Sequence, residues 1–213
     1  MMHIEVISDV ICPWCFIGKR HLEAALALLA EDGLKFTVSW RPYQLNPDMP
    51  LDGVERAAYR AAKFGSAARA KELDVGVAQA GQAAGLEFHF DRMQRTPNTM
   101  LAHRAIRLAG EAGVQDAMVE RLFVAYFQQG LDIGAFPVVA SLAAEVGVAP
   151  DRLAGDAGWT EVVAEDAAAR RAGLNGVPSF LMQGYLLFSG AMPAEAMAEH
   201  FRKAHAVLSS RAA

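Results

Sequence analysis

The chain has 213 residues, a formal net charge of −4, 53% hydrophobic residues and 21% charged residues. This length suits one compact domain or one domain with a large insertion, and the hydrophobic share is too high for a mainly disordered chain. The negative charge and the lack of a basic stripe argue against nucleic-acid binding, and no apolar run reaches the roughly 18 residues that a membrane span needs.

The first fifty residues predict a strand, a helix, a second strand and a loop. The opening residues show neither the cationic segment nor the apolar run of a signal peptide, so we expect a cytoplasmic protein. β-Branched residues predict a strand over His3–Ser8, and apolar residues at helical spacing predict a helix that stops near Glu31-Asp32-Gly33. Alternation over Phe36–Trp40 predicts a half-buried strand, and three prolines mark Arg41–Pro50 as a loop.

The rest of the chain predicts a long helical stretch and a return to strands. From Gly53 to Ala172 the composition predicts about five or six helices of ordinary length. Only Leu86–Phe90 shows a brief strand pattern there. Ser179–Met182 and Tyr185–Phe188 then predict a hairpin, and Pro193–Ser209 predicts a closing amphipathic helix. The order β-α-β, helices, β-β-α predicts an α/β fold with a four-stranded mixed sheet and a large all-helical insertion.

Both cysteines lie in one four-residue motif, Cys12-Pro13-Trp14-Cys15. The pair follows a predicted strand and opens a predicted helix, where unpaired N–H groups and the positive end of the helix dipole stabilise a thiolate. Pro13 suits the first helical turn because its missing N–H is not needed there. We interpret Cys12 as an exposed redox nucleophile and Cys15 as the more buried resolving cysteine. Trp14 is expected to form an apolar platform that faces solvent or substrate.

Two other interpretations of the cysteine pair stay open at this point. The pair supplies two zinc ligands that His200 and His205 would complete, or it consists of inert helix thiols. Val177-Pro178 stands before the third predicted strand, and X–Pro bonds tolerate the cis form at modest cost. A cis bond would leave the Val177 backbone free to pair with an extended peptide beside Cys12, and it would keep a metal from both sulfurs.

Four segments, in chain order, resemble one protein family. They are Ser8–Gly18, Leu45–Pro50, Asn98–Arg104 and Ser189–Ala191. Together with the late Val-Pro, these segments resemble the DsbA-like branch of the thioredoxin superfamily, and more narrowly its FrnE-type cytoplasmic subfamily. The matches span nearly the whole chain, which makes them far more specific than a CxxC motif alone.

The resemblance implies a thioredoxin fold built from residues 1–50 and 175–213, with residues 51–174 as an inserted helical domain. It implies disulfide oxidoreductase chemistry at the two cysteines, with Pro178 as the cis-proline. The implied substrates are protein thiols or a low-molecular-weight disulfide. No metal or resident cofactor is implied, and glutathione is a candidate co-substrate.

Two departures from the family pattern bear on mechanism and on function. Relatives carry a buried acid six residues before the first cysteine, and here that position is Val6. Asp9 or water is therefore our candidate for proton transfer, although Asp9 also suits a turn.

Kappa-class glutathione transferases and 2-hydroxychromene-2-carboxylate isomerases resemble this chain but carry Ser where Cys12 stands. They also end in Gly-x-Asp-Arg where this chain has Ser189-Gly190-Ala191-Met192. A glutathione-dependent isomerase or transferase is the alternative function.

Two further polar residues are candidates for the site. Asn46 lies in the proline-rich loop and is interpreted as a substrate contact or a turn residue. His103 falls in the middle of a predicted helix that would cover Cys12, and is interpreted as a titrating group or a packed helix histidine.

The composition is compatible with a monomer and with a homodimer. The predicted substrate-contacting residues are Pro13, Trp14, Asn46, Val177 and Pro178.

Overall fold

A four-stranded mixed sheet lies at the centre of the computed structural model, which describes residues 2–211. Its strands are β1 (Met2–Ser8), β2 (Phe36–Pro42), β5 (Ser179–Met182) and β6 (Tyr185–Ser189). The spatial order is β2-β1-β5-β6, with β1 parallel to β2 and antiparallel to β5. The predicted four-stranded mixed sheet is confirmed.

The central strand β1 is buried on both faces. Ile4 and Val6 are fully buried in the main core, whereas Ile7 packs with Tyr43 and Leu174 in a second, smaller cluster. Side chains of a strand alternate between faces, so two covered faces explain the adjacent apolar residues Val6 and Ile7. The strand delivers the residues that follow it, including the cysteine motif, to one edge of the core.

Helices α1 (Pro13–Glu31) and α9 (Ala194–Arg211) pack against each other beside the sheet. The buried side of α1 includes Leu22, Ala25 and Leu29, which recur at the helical spacing expected from the sequence. At the end of α1, the carboxylate of Asp32 accepts a hydrogen bond from the Arg202 side chain on α9 at 2.6 Å. The predicted helix stop is confirmed.

Seven helices lie between the two halves of the sheet, rather than the expected five or six. The number of helices is higher because the chain between Asp151 and Arg171 forms two helices instead of one. Residues 155–158, which end in Gly158 with φ +79°, interrupt it. The helices are α2 (Arg56–Phe64), α3 (Ala67–Ala83), α4 (Met100–Glu111), α5 (Gln115–Phe123), α6 (Phe136–Glu145), α7 (Asp151–Ala154) and α8 (Trp159–Arg171).

The brief strand pattern over Leu86–Phe90 does not correspond to a strand in the structure. Phe88 and Phe90 stack on each other with ring centroids 5.2 Å apart, and both rings contact Phe127 edge-on. The alternation therefore reflects two aromatic rings in one cluster. The strands that do form here are the two-residue pair β3 (Val54–Glu55) and β4 (Arg95–Thr96), which is too short to give a sequence pattern.

The predicted hairpin between β5 and β6 is confirmed, and its turn follows from its two residues. Gln183 and Gly184 have φ values of +51° and +80°, as a two-residue hairpin turn requires. Within residues 2–211, no helix is long and apolar enough to cross a membrane. The division of the chain into domains at residues 50 and 174 stays a prediction.

Candidate active site

Cys12 is the residue directly before α1, at the end of the turn that leaves β1. Its backbone N–H donates to the Asp9 carbonyl oxygen at 3.0 Å, and its own carbonyl oxygen accepts from the Cys15 N–H at 3.0 Å. Pro13 occupies the first helical turn, as expected. Both cysteines are free thiols, and the two thiols interact directly.

The two cysteines differ less in exposure than the sequence predicts. Cys15 is fully buried, but Cys12 is only 5% exposed, so the expectation of an exposed Cys12 is wrong. The reason is that the loop after β2 and helix α2 form walls around the cavity that Cys12 lines. Trp14, in contrast, is 43% exposed, which agrees with a platform that faces solvent or substrate.

The environment of Cys15 favours its neutral form. Burial raises the pKa of the Cys15 thiol well above its ordinary range, and the hydrogen bond and charge interaction with Cys12 raise it further. The Ser8 hydroxyl and the backbone at Asp9 act in the opposite direction and lower this pKa. Cys15 is therefore protonated at neutral pH and must lose a proton before it can act as a nucleophile.

The Val177–Pro178 peptide bond is cis, and the carbonyl oxygen of Val177 lies 3.8 Å from the Cys12 sulfur, which donates to it. Gly18 on α1 packs so closely against the proline ring that a Cβ at this position would lie 3.0 Å from Pro178 Cγ. The Gly190 N–H donates to the Pro178 carbonyl oxygen at 2.8 Å. The contacts with Gly18 and Gly190 thus hold Pro178 next to the cysteine motif.

Asp9 and His103 form a buried pair behind the motif. Asp9 is fully buried and His103 is 3% exposed. One carboxylate oxygen of Asp9 accepts the Leu45 N–H at 2.7 Å, and the other lies 3.3 Å from His103 Nε2. Asp9 therefore ties the loop after β2 to the turn before Cys12. Among the residues that the structure describes, none from α4 lines the cavity at Cys12, so the expectation that this helix covers Cys12 is wrong.

A cavity of about 260 Å³ opens at Cys12. Asn46 lines it and accepts hydrogen bonds from the Tyr59 hydroxyl at 2.5 Å and the Lys63 ammonium at 3.4 Å. Residues 124–128 continue α5 as a π-helical turn and supply an aromatic wall. The predicted site residues that the cavity brings together are Cys12, Pro13, Trp14 and Asn46.

The far wall of the cavity is basic. Arg56, Arg60 and Lys63 line it together with one acid, Asp74, which accepts from both arginines. The Nε of Arg60 is buried and has no hydrogen-bond partner within residues 2–211. Burial lowers the pKa of the Arg60 guanidinium, the charge of Asp74 opposes this, and Arg56 adds to the lowering. Three cations face a single carboxylate, so the wall attracts anions.

A family model of the DSBA-like thioredoxin domain matches residues 3–202. The chain belongs to this family. It is similar to the uncharacterized protein YwbO of Bacillus subtilis, with 29% identity over 149 residues, which are 69% of this chain and 67% of YwbO.

Solved structures agree with this family. A probable DsbA oxidoreductase from Streptomyces coelicolor superposes with a TM-score of 0.86 and 28% identity, over 97% of this chain and 91% of the other. The cytosolic disulfide reductase DsbM from Pseudomonas aeruginosa has a TM-score of 0.65 and 20% identity, over 99% of this chain and all (100%) of DsbM. The likeness to DsbM concerns the fold. The thioredoxin fold expected from the sequence is confirmed.

The zinc interpretation finds no support in the geometry of this DSBA-like chain. His200 and His205 lie on α9, where their rings contact Phe188 and Phe36 at centroid distances of 5.1 Å and 5.8 Å. Across residues 2–211, no group of three or more His, Cys, Asp or Glu side chains is placed to hold a metal ion.

The basic wall is the part of the DSBA-like site that the sequence interpretation missed. Arg56, Arg60 and Lys63 are spaced at i, i+4 and i+7, which places them on one face of a helix. This spacing is visible in the sequence. Only the structure shows that this face lines the cavity at Cys12.

Proposed function

We propose that this protein is a thiol–disulfide oxidoreductase whose redox centre is Cys12-Pro13-Trp14-Cys15. The Cys12 thiolate attacks one sulfur of a substrate disulfide, forms a mixed disulfide with it and releases the other sulfur as a thiolate. Cys15, once deprotonated, attacks Cys12, displaces the second substrate sulfur and leaves a Cys12–Cys15 disulfide. The substrate gains two electrons and the protein dithiol loses two. The reverse sequence oxidises substrate thiols.

The observation that carries this proposal is the asymmetry between the two cysteines. Cys12 lines the cavity and lies at the positive end of the α1 dipole, whereas Cys15 is fully buried and its pKa is raised. Two-step exchange requires a nucleophile that the substrate reaches and a second thiol that it does not reach. The family membership of the chain supports the same chemistry.

The proposed substrates are protein thiols and low-molecular-weight disulfides. The Val177 backbone beside Cys12 would pair with the extended part of a substrate, and Trp14 and Asn46 would flank it. The cavity volume of about 260 Å³ is close to the lower end of the range for small-molecule sites, about 300–1,000 Å³.

Glutathione is the proposed co-substrate. The basic wall supports this choice because glutathione carries two carboxylates, which Arg60 and Lys63 would attract. The DsbM of Pseudomonas aeruginosa has a solved structure with GSH. The expected cytoplasmic location stays a prediction, as does the choice between a monomer and a homodimer.

A redox titration with matched variants tests the proposed function. The wild type should show a reversible two-electron couple between Cys12 and Cys15 in mixtures of reduced and oxidised glutathione, read by mass spectrometry after alkylation. Cys12→Ser should abolish disulfide reduction, whereas Cys15→Ser should accumulate a mixed disulfide on Cys12. Full reductase activity in Cys12→Ser would refute the proposal.

The alternative function, a glutathione-dependent isomerase or transferase, makes the opposite prediction for one variant. In that case Cys15→Ser would keep full activity, because the chemistry would need only the group at position 12. No feature of the site favours this alternative over disulfide exchange, since Cys12 and Cys15 are both present.

A further inference from the structure

The buried thiol of Cys15 needs a route by which its proton can leave. Val6, at the position where relatives carry an acid, is fully buried between Trp40 and Phe180 in the sheet and offers no titratable group. Another group must therefore accept the proton when Cys15 attacks a mixed disulfide on Cys12.

Ser8 is a polar side chain that lowers the pKa of the Cys15 thiol. Ser8 is 5% exposed, and its hydroxyl oxygen is buried with no hydrogen-bond partner of good geometry within the described residues. A buried hydroxyl without a partner costs free energy, so its presence calls for an explanation. The hydroxyl nevertheless lies close enough to Cys15 to lower the pKa of that thiol.

A cavity of about 10 Å³ links Ser8 to His103, since both residues line it. This volume is at the lower limit for one water molecule, about 10–15 Å³, and both residues offer that water a hydrogen-bonding group. His103 also lines a larger, open cleft of about 360 Å³, and Trp40, Arg41 and Ile106 line both spaces. The histidine thus borders both the Ser8 cavity and the open cleft.

Asp9 sets the tautomer of His103. Its carboxylate oxygen lies 3.3 Å from His103 Nε2, so a neutral ring carries its proton on Nε2 and presents Nδ1 as an acceptor. The second oxygen of Asp9 is held by the Leu45 N–H at 2.7 Å. The carboxylate is therefore fixed in place and orients the ring.

We propose that Ser8, one water molecule and His103 form a proton relay that deprotonates Cys15, with Asp9 as the residue that positions His103. The proposal rests on the proposed function. In the resolving step the Cys15 proton passes to the Ser8 oxygen, the Ser8 proton passes through water to His103 Nδ1, and solvent in the cleft then takes it. The Cys15 thiolate forms the bond to Cys12 Sγ, and the substrate sulfur leaves with the electron pair of the broken bond.

Several charged groups face the cleft that His103 lines. Arg41 comes from β2, Arg107 and Glu111 from α4, and Glu165 from α8. Glu165 forms ion pairs with Arg41 at 2.8 Å and with Arg107 at 2.9 Å. These pairs keep the cleft near neutral and open to a small base.

A two-phase assay separates the relay from the proposed function. The reduced protein is mixed with one equivalent of the aromatic disulfide dithiobis(nitrobenzoate), and the released nitrothiobenzoate is followed by stopped-flow absorbance. The first release reports the attack by Cys12, and the second reports the attack by Cys15 on the mixed disulfide. Without a first phase in the wild type the proposed function fails. With a first phase, the second phase tests the relay.

We expect Ser8→Ala and His103→Gln to leave the first phase unchanged and to slow the second phase at neutral pH on the order of 100-fold, the lower end of the range for general-base catalysis. At alkaline pH both variants should converge on the wild type, because hydroxide then removes the proton directly. Ser8→Ala should keep the thermal midpoint, since the hydroxyl it removes has no protein hydrogen-bond partner of good geometry within the described residues. His200→Gln, on the exposed side of α9, is the matched control.

Chemical rescue gives a second readout, which would not change if His103 had only a structural role. Added imidazole should restore the second phase of His103→Ala through the open cleft, whereas the isosteric but far less basic pyrazole should not. Equal rescue by both compounds, equal slowing of both phases, or a wild-type second phase in Ser8→Ala and His103→Gln at neutral pH would each overturn the relay.

Discussion

The Cys12 sulfur lies 3.8 Å from the carbonyl oxygen of Val177, a residue 165 positions further along the chain. The contact joins the turn before α1 to the residue that leads into β5, so the cysteine motif and Pro178 form one surface. A substrate seated along the Val177 backbone would bring its sulfur to Cys12. Cys15, fully buried beneath this surface, would then meet the mixed disulfide only from the protein side.

Alkylation should distinguish the two thiols sharply. With iodoacetamide at mildly alkaline pH, we expect Cys12 to react at least about tenfold faster than Cys15, because each unit of pKa elevation lowers the thiolate fraction tenfold. Burial raises the Cys15 pKa and also blocks access. Peptide mapping by mass spectrometry at several time points measures both rates.

Unfolding provides the control for this experiment. In denaturant both cysteines should react at similar rates, because burial no longer separates them. Equal rates in the folded protein would contradict the assigned roles of Cys12 and Cys15.

Neutralising the basic wall should lower kcat/KM for anionic substrates and leave kcat/KM for neutral substrates unchanged. We expect Arg60→Gln and Lys63→Gln each to lower kcat/KM for oxidised glutathione by about 1.4- to fivefold, the effect of a partly exposed charge worth roughly 0.2–1 kcal/mol. The neutral hydroxyethyl disulfide should be unaffected, and the difference should shrink in high salt. Steady-state kinetics with both substrates measures the effect.

Lys71→Gln serves as the charge-matched control for the basic wall. Lys71 is exposed on α3 and does not line the cavity, so this variant should behave like the wild type with both disulfides. An equal loss for the anionic and the neutral substrate would show that α2 supports the site structurally rather than by charge.

The sequence predicts the parts of the fold that depend on local patterns. The strand before Cys12, the helix after it and the hairpin near Gly184 follow from alternation, helical spacing and turn chemistry. The cysteine pair itself is recognised from a spacing of three residues. Each of these features is contained in a short window of the chain.

The parts that could not be predicted depend on contacts between distant residues. Cys12 is buried because α2 and residues 124–128 supply the walls of its cavity, and no local pattern records that approach. The Asn98 side chain donates to the Met49 carbonyl oxygen at 2.7 Å, which joins two of the family-like segments. Asn98 thereby has a structural role that its sequence neighbourhood does not reveal.

Asp166 should be important for stability because it anchors the loop that carries Asn46. Its carboxylate accepts the Gln44 N–H at 2.7 Å and pairs with Arg170, which stacks over the Tyr43 ring. We expect Asp166→Asn to lower the free energy of unfolding by about 1.5–3 kcal/mol, as is usual for a lost hydrogen bond to a charged group. Urea denaturation followed by circular dichroism measures the change.

Glu161→Gln is the control for Asp166→Asn on the same helix. Glu161 is exposed on α8 and contacts no part of the active-site loop in the described structure, so its loss should change stability by less than about 0.5 kcal/mol. A similar loss in both variants would point to a general charge effect on α8 instead of the anchor.

The stability of the reduced protein should fall as the pH rises through the alkaline range. Burial raises the pKa of Cys15 in the folded state, so above about pH 8.5 the unfolded chain loses this proton while the folded protein keeps it. The unfolded state then binds fewer protons, and the free energy of unfolding should drop by up to about 1.4 kcal/mol per pH unit until the folded pKa is reached. Urea midpoints under reducing conditions measure this slope. Cys15→Ala should flatten the slope and Cys12→Ala should retain most of it, and an unchanged slope in Cys15→Ala would refute the assignment.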